Sequence, residues 1–203
     1  EYGSPTIFGT TLSNNYAGNV GGGIACYNSS ALIYSCVLSN NWSEYATGGI
    51  DLESSSPTIT NCTIVVDDAS VPMSGGIGAH SNSQPVIKNC IIWGTGDDLS
   101  NCSATYSCIE DGDEGLGNIS VNPAFTRGPL GNYYLSQFDA GQILDADSPC
   151  VGAGVTTGIT GQIQNLTTRT DGVVDSGAVD IGAHFAPLPP VMCELNIIVV
   201  DAY

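Results

Sequence analysis

The chain has 203 residues with 20 acidic and 3 basic side chains and a formal net charge of −17, and its length suits one elongated domain or a domain with a tail. Nucleic acids and anionic membrane surfaces both need a positive patch on a protein partner, so the charge argues against both. No apolar segment reaches the length of about 18 residues that a membrane-spanning helix requires, so membrane insertion is not expected.

A repeat occupies the first part of the chain, and its copies begin at Pro5, Ala31, Pro57 and Pro85. The copies share one pair of apolar positions: Ile7 and Leu12, Ile33 and Leu38, Ile59 and Ile64, Ile87 and Ile92. The phrase Gly-Gly-Ile recurs in the same phase at 22–24, 48–50 and 75–77. Short β-branched segments bounded by Gly, Asn and Ser are typical of strands, and a repeat of this length fits one coil of a parallel β-solenoid. The sequence therefore predicts stacked β-coils over residues 1–98.

Two positions of each coil are predicted to be corners. Gly9, Ser35, Asn61 and Asn89 fill one of them, and Gly and Asn tolerate the positive φ of a left-handed bend. Stacked Asn side chains at such a corner can hydrogen-bond along the coil axis. The Gly-Gly pairs indicate a second corner, where the backbone bends or passes close to other backbone.

Eight cysteines are present, and three of them form a column. Cys36, Cys62 and Cys90 follow the corner residue of successive coils. We expect them to point inward as buried thiols, and the alternative is a disulfide between neighbouring coils. Two further disulfides are candidates, Cys102 with Cys108 and Cys150 with Cys193. The sequence does not fix this connectivity.

Six Asn-x-Ser/Thr sequons exceed the number expected by chance, which indicates an extracellular, glycosylated protein. Four lie in turn-like segments and are the better acceptors: Asn28, Asn41, Asn118 and Asn165. Asn61 lies in the corner column, and Asn101 lies in a similar Asn-Cys phrase. For these two the alternative is an internal ladder residue.

An acidic loop at 110–115 is the candidate metal site. Asp111, Asp113 and Glu114 lie beside glycines, and carboxylate oxygens in a flexible loop suit Ca²⁺. The alternative is an acidic loop in solvent. Calcium is therefore the candidate cofactor, and no other cofactor is predicted.

The sequence has few of the residues that polysaccharide cleavage requires. The basic residues are Lys88, Arg127 and Arg169, too few for the base chemistry of a uronate lyase, and we expect Arg169 to pair with a nearby aspartate. Glycoside hydrolysis requires facing carboxylates, whereas the pairs Asp51/Glu53 and Asp67/Asp68 fall in different phases of the repeat. His80 lacks a recognisable partner, and alternation places His184 outward. No catalytic residue is predicted.

Residues 99–186 lack the regular repeat but contain a series of short phrases. They include Asn122-Pro123-Ala124-Phe125, Gly131-Asn132-Tyr133-Tyr134-Leu135, Ser148-Pro149-Cys150 and Val179-Asp180-Ile181-Gly182-Ala183. With the repeat, this order of phrases resembles the C-terminal part of secreted bacterial right-handed parallel β-helix repeat proteins of the pectin-lyase-like group, over residues 5–186. The resemblance implies an all-β, right-handed parallel β-helix that residues 99–186 continue and close with an irregular segment. One departure is Gly152, where the family phrase carries Asp.

A tail at 187–203 follows the domain. A Pro-rich spacer precedes a strand-prone segment with Leu195, Ile197, Ile198, Val199 and Val200. This segment either folds back on its own coils or adds to a sheet edge of another subunit. Because the first coil is expected to be uncovered, the second alternative joins two different surfaces, and a heterologous contact of this kind propagates into a filament.

These features favour a non-catalytic extracellular structural protein, a surface or filament-forming subunit whose partner is another copy of itself. The alternative function is a polysaccharide-binding or polysaccharide-degrading β-helix with glycans as partners. A stacked row of exposed aromatic rings or facing carboxylates on one coil face would favour that alternative. The aromatic residues of interest are Tyr27, Trp42, Tyr45 and Trp93, and their phases in the repeat do not coincide.

Overall fold

The computed structural model of the chain describes residues 3–66, 75–94, 96–142 and 146–188. In chain order, the strands are β1 (Thr6–Phe8), β2 (Thr11–Ser13), β3 (Tyr16–Ala17), β4 (Ile24–Tyr27), β5 (Leu32–Tyr34), β6 (Val37–Ser39), β7 (Trp42–Ser43), β8 (Ile50–Glu53), β9 (Thr58–Thr60), β10 (Thr63–Val65), β11 (Ile77–His80), β12 (Val86–Lys88), β13 (Ile91–Trp93), β14 (Leu99–Ser100), β15 (Ala104–Thr105), β16 (Cys108–Ile109), β17 (Phe125–Gly128) and β18 (Gly131–Leu135). A 3₁₀ turn at Phe138–Ala140 and the helix α1 at Thr160–Ile163 complete the described elements. Neither is long and apolar enough to cross a membrane.

Strands of successive coils pair in parallel and build three sheets along the solenoid. Sheet 1 contains β1, β5, β9, β12 and β15, sheet 2 contains β2, β6, β10, β13 and β16, and sheet 3 contains β4, β8, β11 and β14. Thr6 pairs with Leu32 and Leu32 with Thr58, so each strand lies beside its equivalent in the next copy of the repeat. The predicted parallel β-coils are confirmed.

The interior consists of columns of apolar side chains, because in-register pairing places equivalent residues directly above one another. In sheet 1 the column is Ile7, Ile33, Ile59, Ile87 and Ala104, in sheet 2 it is Leu12, Leu38, Ile64, Ile92 and Ile109, and in sheet 3 it is Ile24, Ile50, Ile77 and Leu99. These side chains meet in one hydrophobic cluster. A single coil buries them only against its neighbours, so each coil depends on the stack.

The corner between sheets 1 and 2 has the left-handed backbone that the sequence predicts. The φ angles of Gly9, Ser35, Asn61 and Asn89 are 58°, 49°, 50° and 51°. Asn89 Nδ2 donates to Asn61 Oδ1 at 3.4 Å, which makes a short axial Asn ladder. Asn61 Nδ2 also donates to the Asp180 carbonyl at 3.2 Å. This corner therefore binds the C-terminal part of the chain as well as the next coil.

The Gly-Gly pairs mark a close approach of backbone at the start of sheet 3. A Cβ atom on Gly49 would collide with the Gly76 carbonyl oxygen of the next coil. A Cβ on Gly23 would lie 2.8 Å from the Gly49 carbonyl oxygen. The repeated glycines therefore exist because neighbouring coils leave no room for a side chain here.

The cysteine column forms a buried thiol ladder. Cys36, Cys62 and Cys90 are fully buried and free. Each thiol donates to the carbonyl two residues earlier, at 3.3 Å in Cys36, 3.4 Å in Cys62 and 3.2 Å in Cys90. Of the two alternatives, the structure has buried thiols, and no disulfide joins the coils at these three positions.

Residues 99–186 do more than close the last coil. Ile119 pairs in parallel with Cys108 and extends the stack by one irregular level. The antiparallel hairpin β17–β18 follows. The segment 146–188, here called the flank segment, then runs back along the solenoid and packs against the outer faces of sheets 1 and 2. One contact is the amide of Gly182, which donates to the Asn89 carbonyl at 2.8 Å, and another is the amide of Ala183, which donates to Thr63 Oγ1 at 3.0 Å.

The flank segment is held by polar and apolar contacts. Tyr34 of sheet 1 packs with Ile159 and Ile163, while Ile91 and Cys108 of sheet 2 pack with Leu135, Cys150 and Ile181. The expected outward position of Asp180 and His184 is wrong, since both are 4% exposed. Alternation fails because the segment is packed on both sides. The tail strand predicted at 195–200 lies outside the described residues.

Candidate functional site

The outer face of sheet 3 differs from those of sheets 1 and 2, because the flank segment contacts named above do not involve it. Alternation along β4, β8 and β11 turns two rows of residues outward. The first row is Ala25, Asp51 and Gly78, and the second is Tyr27, Glu53 and His80. Tyr27 is 68% exposed, and the His80 side chain is 46% exposed. This face, called the sheet 3 face below, is the candidate functional site.

Three polar side chains of the second row stand in register on adjacent strands. Tyr27 of β4 pairs with Glu53 of β8, and Glu53 pairs with His80 of β11. Strand spacing puts neighbouring members about 4.8 Å apart along the axis. The row therefore forms a continuous line of hydrogen-bonding groups across three coils.

Asp51 and His80 meet diagonally on this face. His80 Nε2 lies 3.2 Å from Asp51 Oδ1, an ion pair when the imidazole is protonated. The two groups are not aligned as a hydrogen bond, and Asp51 Oδ1 is buried without a hydrogen-bond partner in the described structure. A buried carboxylate oxygen without an aligned donor is costly, and the nearby His80 imidazole offsets this cost when it is protonated.

Gly78, which has no side chain, makes room for the contact between Asp51 and His80. Gly78 is the neighbour of Asp51 in the first row, and a Cβ atom on it would collide with Thr47 Oγ1 and come within 3.4 Å of His80 Nε2. Glycine at this position lets the loop that carries Thr47 lie directly on the sheet. Thr47 is itself 9% exposed.

Asp51 and Glu53 point to the same side of one strand. Residues two apart on a strand share a face, with Cα atoms roughly 6.6 Å apart. Glu53 accepts a hydrogen bond from the Ser81 hydroxyl through Oε1. The two carboxylates differ in environment, because Asp51 is buried and Glu53 is only partly buried. Asp67 and Asp68 lie outside the described residues.

An aromatic stack lies on the neighbouring ladder. Tyr16 of β3 pairs in register with Trp42 of β7, and their ring centroids are 4.0 Å apart. Tyr16 donates to Glu44 Oε2 at 3.0 Å. Tyr16 is not among the aromatic residues predicted from the sequence, because Trp42 is compared there only with residues at other positions of the repeat. Tyr16 occupies the position of Trp42 in the preceding copy of the repeat, so a comparison of equivalent positions would have found it.

Among the predicted calcium ligands, Asp111 accepts hydrogen bonds from backbone amides. No group of three or more His, Cys, Asp or Glu side chains in the described ranges is arranged to hold a metal ion. The Glu110 amide donates to Asp98 Oδ2 at 2.7 Å, and the Asp98 amide donates to Asp111 Oδ2 at 3.1 Å. Burial, with nearby Asp111 and Asp97, raises the pKa of Asp113. The structure does not bring Asp111, Asp113 and Glu114 together as ligands.

The six sequons differ in exposure. Asn101 and Asn165 are exposed, and Asn28 and Asn118 are partly buried. Asn41 is 2% exposed and Asn61 is 0% exposed. Asn41 accepts from Asn15 Nδ2 at 2.9 Å and donates to the Leu12 carbonyl at 2.9 Å, so its amide belongs to a ladder between coils. Asn118 donates to the carbonyls of Ala104 and Asp113 at 3.2 and 3.1 Å.

The predicted disulfide partners Cys102 and Cys108 lie in different surroundings. Cys102 and Cys108 are both free thiols. Cys102 packs against the main interior cluster, whereas Cys108 points outward from sheet 2 into the cluster that contains Cys150. The two side chains leave the coil in different directions, which does not favour the predicted pairing of Cys102 with Cys108. Cys193 lies outside the described residues.

A buried polar cluster holds the flank segment together. Arg169 pairs with Asp171 as expected, through Nη2 at 2.6 Å and Nε at 3.0 Å. Asp175 accepts from the Thr168 amide at 2.7 Å, and its Oδ2 lies 3.6 Å from His184 Nε2. Burial raises the pKa of Asp175 to about 6 and lowers the pKa of His184. In the place of the family Asp, the Gly152 amide donates to Asp180 Oδ1 at 2.7 Å.

Comparison with protein families found one match, to a model described as a right handed beta helix region, over residues 3–109. Neither the comparison with curated proteins nor that with solved structures found a match. The matched residues make up more than half of the chain and coincide with its parallel coils. The fold is consistent with a surface or polysaccharide-related protein. By its repeat, its coil geometry and this match, the chain belongs to the family of right-handed β-helix regions.

Proposed function

We propose that this protein is an extracellular, non-catalytic β-helix that binds polysaccharide along the sheet 3 face. The observation that carries the proposal is the in-register row of Tyr27, Glu53 and His80 on one solvent-facing side of the solenoid. Such a line of donors and acceptors matches the regularly spaced hydroxyl groups of a glycan chain. Tyr27, at one end of the line, offers an exposed ring on which a sugar can lie.

The glycan is uncharged. A protein with a net charge of −17 repels uronate and sulfated chains. The carboxylate of Glu53, on the outward row, would face such a chain, whereas sugar hydroxyls donate to carboxylates. We therefore place neutral polysaccharides in the proposed site and exclude acidic ones.

Affinity electrophoresis in gels containing neutral or uronate polysaccharides tests the proposal. At least one neutral polysaccharide should retard the protein, and uronate polysaccharides should not. Tyr27→Ala and His80→Ala should each weaken binding about tenfold, roughly the loss of one good contact. The matched control is Tyr45→Ala, since Tyr45 is 69% exposed and Tyr27 is 68% exposed. Tyr45 should be dispensable.

Three results would overturn the proposal. Absence of retardation in every gel removes polysaccharide binding. Loss of binding in Tyr45→Ala with full binding in Tyr27→Ala and His80→Ala moves the glycan away from the sheet 3 face. Release of reducing ends from a retarding polysaccharide, lost in Glu53→Gln, makes the protein a hydrolase.

A filament-forming structural role is the second candidate. Among the described residues, β1, β2 and β4 are terminal strands of their sheets, so their other edges can accept a strand of another molecule or a preceding coil. The predicted assembly residues Leu195, Ile197, Ile198, Val199 and Val200 lie outside the described part of the chain. Electron microscopy of the full chain beside a variant truncated after Pro190 distinguishes the candidates. Filaments that vanish on truncation support assembly, whereas dispersed particles in both samples exclude it.

Extracellular location and glycosylation remain predictions. Burial makes some of the six sequons less suitable as glycosylation sites. Asn101 and Asn165 are exposed, so glycan transfer there needs no disruption of the coil. Asn41 and Asn61 are buried in side-chain ladders. Expression through a eukaryotic secretory pathway, followed by mass spectrometry before and after glycosidase treatment, should detect glycans at Asn101 and Asn165.

A further inference from the structure

A second hydrophobic cluster brings together two cysteines from distant parts of the chain. Cys108 belongs to β16 and points outward from sheet 2, whereas Cys150 belongs to the flank segment. Both residues are 0% exposed, and Leu135, Ile91 and Ile181 surround them. The two side chains belong to this one cluster. The hairpin β17–β18 lies between them in sequence, so their contact is a product of the fold.

The backbone fixes both cysteines at this place. The Cys108 amide donates to the Cys90 carbonyl of the preceding coil at 2.8 Å. On the other side, the Cys150 amide donates to Ser148 Oγ at 3.2 Å, and the Ile181 amide donates to the Cys150 carbonyl at 2.9 Å. Both cysteines are therefore anchored by backbone hydrogen bonds in one shared cluster, and proximity of this kind is what a disulfide between them requires.

The thiol ladder inside the coils is a different environment. Cys36, Cys62 and Cys90 stand one above another just before the paired strands of sheet 2, and their thiols also contact carbonyls of the coil below at 3.6 to 3.7 Å. An odd number of equivalent thiols leaves at least one unpaired in any disulfide scheme. Pairing any two would also break the register-preserving contacts of the ladder.

We propose that Cys108 and Cys150 form a disulfide bond when the chain folds under oxidising conditions, while Cys36, Cys62 and Cys90 stay reduced. The bond forms by thiol–disulfide exchange with a small disulfide such as oxidised glutathione. One protein thiolate attacks the small disulfide and forms a mixed disulfide with half of it. The second protein thiolate then attacks the protein sulfur of the mixed disulfide and displaces that half as a thiol. The two protein thiols lose two protons and two electrons in total, and the oxidant leaves as two molecules of reduced thiol.

The thiol pair is suited to this exchange. The neighbouring Cys150 side chain lowers the pKa of Cys108, and Cys108 Sγ also lies 3.2 Å from the Val121 carbonyl oxygen. Cys108 is therefore the member of the pair that more readily becomes the attacking thiolate. The product joins the last regular coil covalently to the flank segment.

The scarcity of basic residues makes the test simple. Trypsin cleaves after Lys88, Arg127 and Arg169, which yields peptides 1–88, 89–127, 128–169 and 170–203. The full-length chain is reduced and unfolded, refolded in a mixture of reduced and oxidised glutathione, alkylated at its remaining thiols, and digested without reduction. The proposal predicts that mass spectrometry finds peptide 89–127 linked to 128–169, with Cys90 and Cys102 alkylated.

Each competing connectivity gives a different product. An internal bond in 89–127 would indicate Cys102 with Cys108, and a link from 128–169 to 170–203 would indicate Cys150 with Cys193. A link from 1–88 to 89–127, or an internal bond in 1–88, would indicate the thiol ladder. Any of these, or alkylation of all eight cysteines, overturns the proposal.

Variants provide the matched controls. Cys102→Ser should retain the link between peptides 89–127 and 128–169, whereas Cys108→Ser and Cys150→Ser should each abolish it. A second readout covers the case in which a variant folds poorly. The oxidised wild-type chain should melt at a higher temperature than the same chain kept reduced, and Cys102→Ser should show the same difference. An unchanged melting temperature in the wild type, together with free thiols at both positions, contradicts the proposal.

Discussion

At the scale of single residues, the absence of a side chain often decides the local structure. Gly23 and Gly49 lie where the backbones of adjacent coils approach too closely for a Cβ atom. Gly78 leaves space for Thr47 over the sheet and for the contact between His80 and Asp51. The candidate site therefore depends on a glycine that makes no polar contact through a side chain.

Gly49→Ala should destabilise the protein strongly. Its Cβ would collide with the Gly76 carbonyl oxygen and lie 2.9 Å from Ile64 Cγ2, and backbone cannot move without breaking the stack. Overpacking of this kind costs about 1 to 3 kcal/mol or more. Urea unfolding followed by circular dichroism measures the loss. The matched control is Gly158→Ala, which has open space around its Cβ and should be neutral; equal stability of the two variants contradicts this account.

Asp175 should make stability depend on pH. Burial raises its pKa to about 6, so the folded state binds the proton more tightly than the unfolded state. The free energy of unfolding therefore falls as pH rises from about 4 to about 6 through this group. The lowered pKa of buried His184 acts in the opposite direction, since stability rises as that imidazole becomes neutral.

Asp175→Asn removes the first of these effects and also the carboxylate that lies 3.6 Å from His184 Nε2. Between pH 4 and 6 the variant should gain stability relative to wild type by on the order of 2 kcal/mol as pH rises. Urea titrations at four or five pH values measure the two slopes. The exposed Glu114→Gln is the control and should follow wild type. Parallel curves for Asp175→Asn and wild type would show that this carboxyl group titrates normally.

At the scale of elements, the solenoid is a set of columns, and the corner between sheets 1 and 2 is where other parts of the chain attach. Asn89 Oδ1 accepts from the Val155 amide at 2.9 Å, and Asn89 Nδ2 donates to the Val155 carbonyl at 2.7 Å. A single amide side chain thus imitates a strand partner for the flank segment. The adjacent Asn61 makes a similar contact with Asp180.

Asn89→Gly tests this attachment without backbone strain, because glycine accepts the φ of 51° at this corner. The variant leaves the Val155 amide and carbonyl without partners, and we expect a loss of about 2 to 3 kcal/mol. Hydrogen exchange should speed up in the flank segment before the coils. Asn101→Gly is the matched control, at an exposed corner with a φ of 55°. A neutral Asn89→Gly would mean that the ladder does not hold the flank segment.

The columns could be predicted from the sequence, and the docking of the flank segment could not. Isoleucines that recur once in each copy of the repeat determine coil length, register and inward face together. The row of Tyr27, Glu53 and His80 also follows from the repeat, since each lies three residues after the Ile of Gly-Gly-Ile. By contrast, Asn61 and Thr63 contact residues 119 and 120 positions away. A repeat period does not predict contacts between residues so far apart in sequence. Alternation alone therefore gave the wrong orientation for Asp180 and His184.

At the scale of the whole molecule, the flank segment changes how the solenoid behaves. Coils that touch only their neighbours can unfold from one end, with little cooperativity. Here one segment contacts Thr63, Asn89 and Cys108, which lie on successive coils. Loss of any of these coils loosens the contacts of the others, so the stack should unfold as a unit.

The two tryptophans report on this cooperativity from different coils. Trp42 lies on β7, and Trp93 lies on β13. Urea transitions monitored by fluorescence in Trp42→Phe and Trp93→Phe should have the same midpoint. Ile181→Ala, which truncates a fully buried flank side chain, should lower both midpoints together, at a cost of about 2 to 5 kcal/mol. Separate midpoints in the presence of an intact flank segment would contradict a single cooperative unit.

The same long-range contacts bear on the order in which the chain folds. Residues 5–109 leave the ribosome before the flank segment exists, so sheet 2 is complete while its outer face, with Val37, Val65 and Ile91, has no cover. Contacts between residues so far apart in sequence form slowly because of the entropy of loop closure. During that interval the half-made solenoid exposes a flat apolar sheet, which is prone to aggregation. The flank segment therefore acts during synthesis as a cover that arrives late, and a chain interrupted before it would aggregate although every coil is already present.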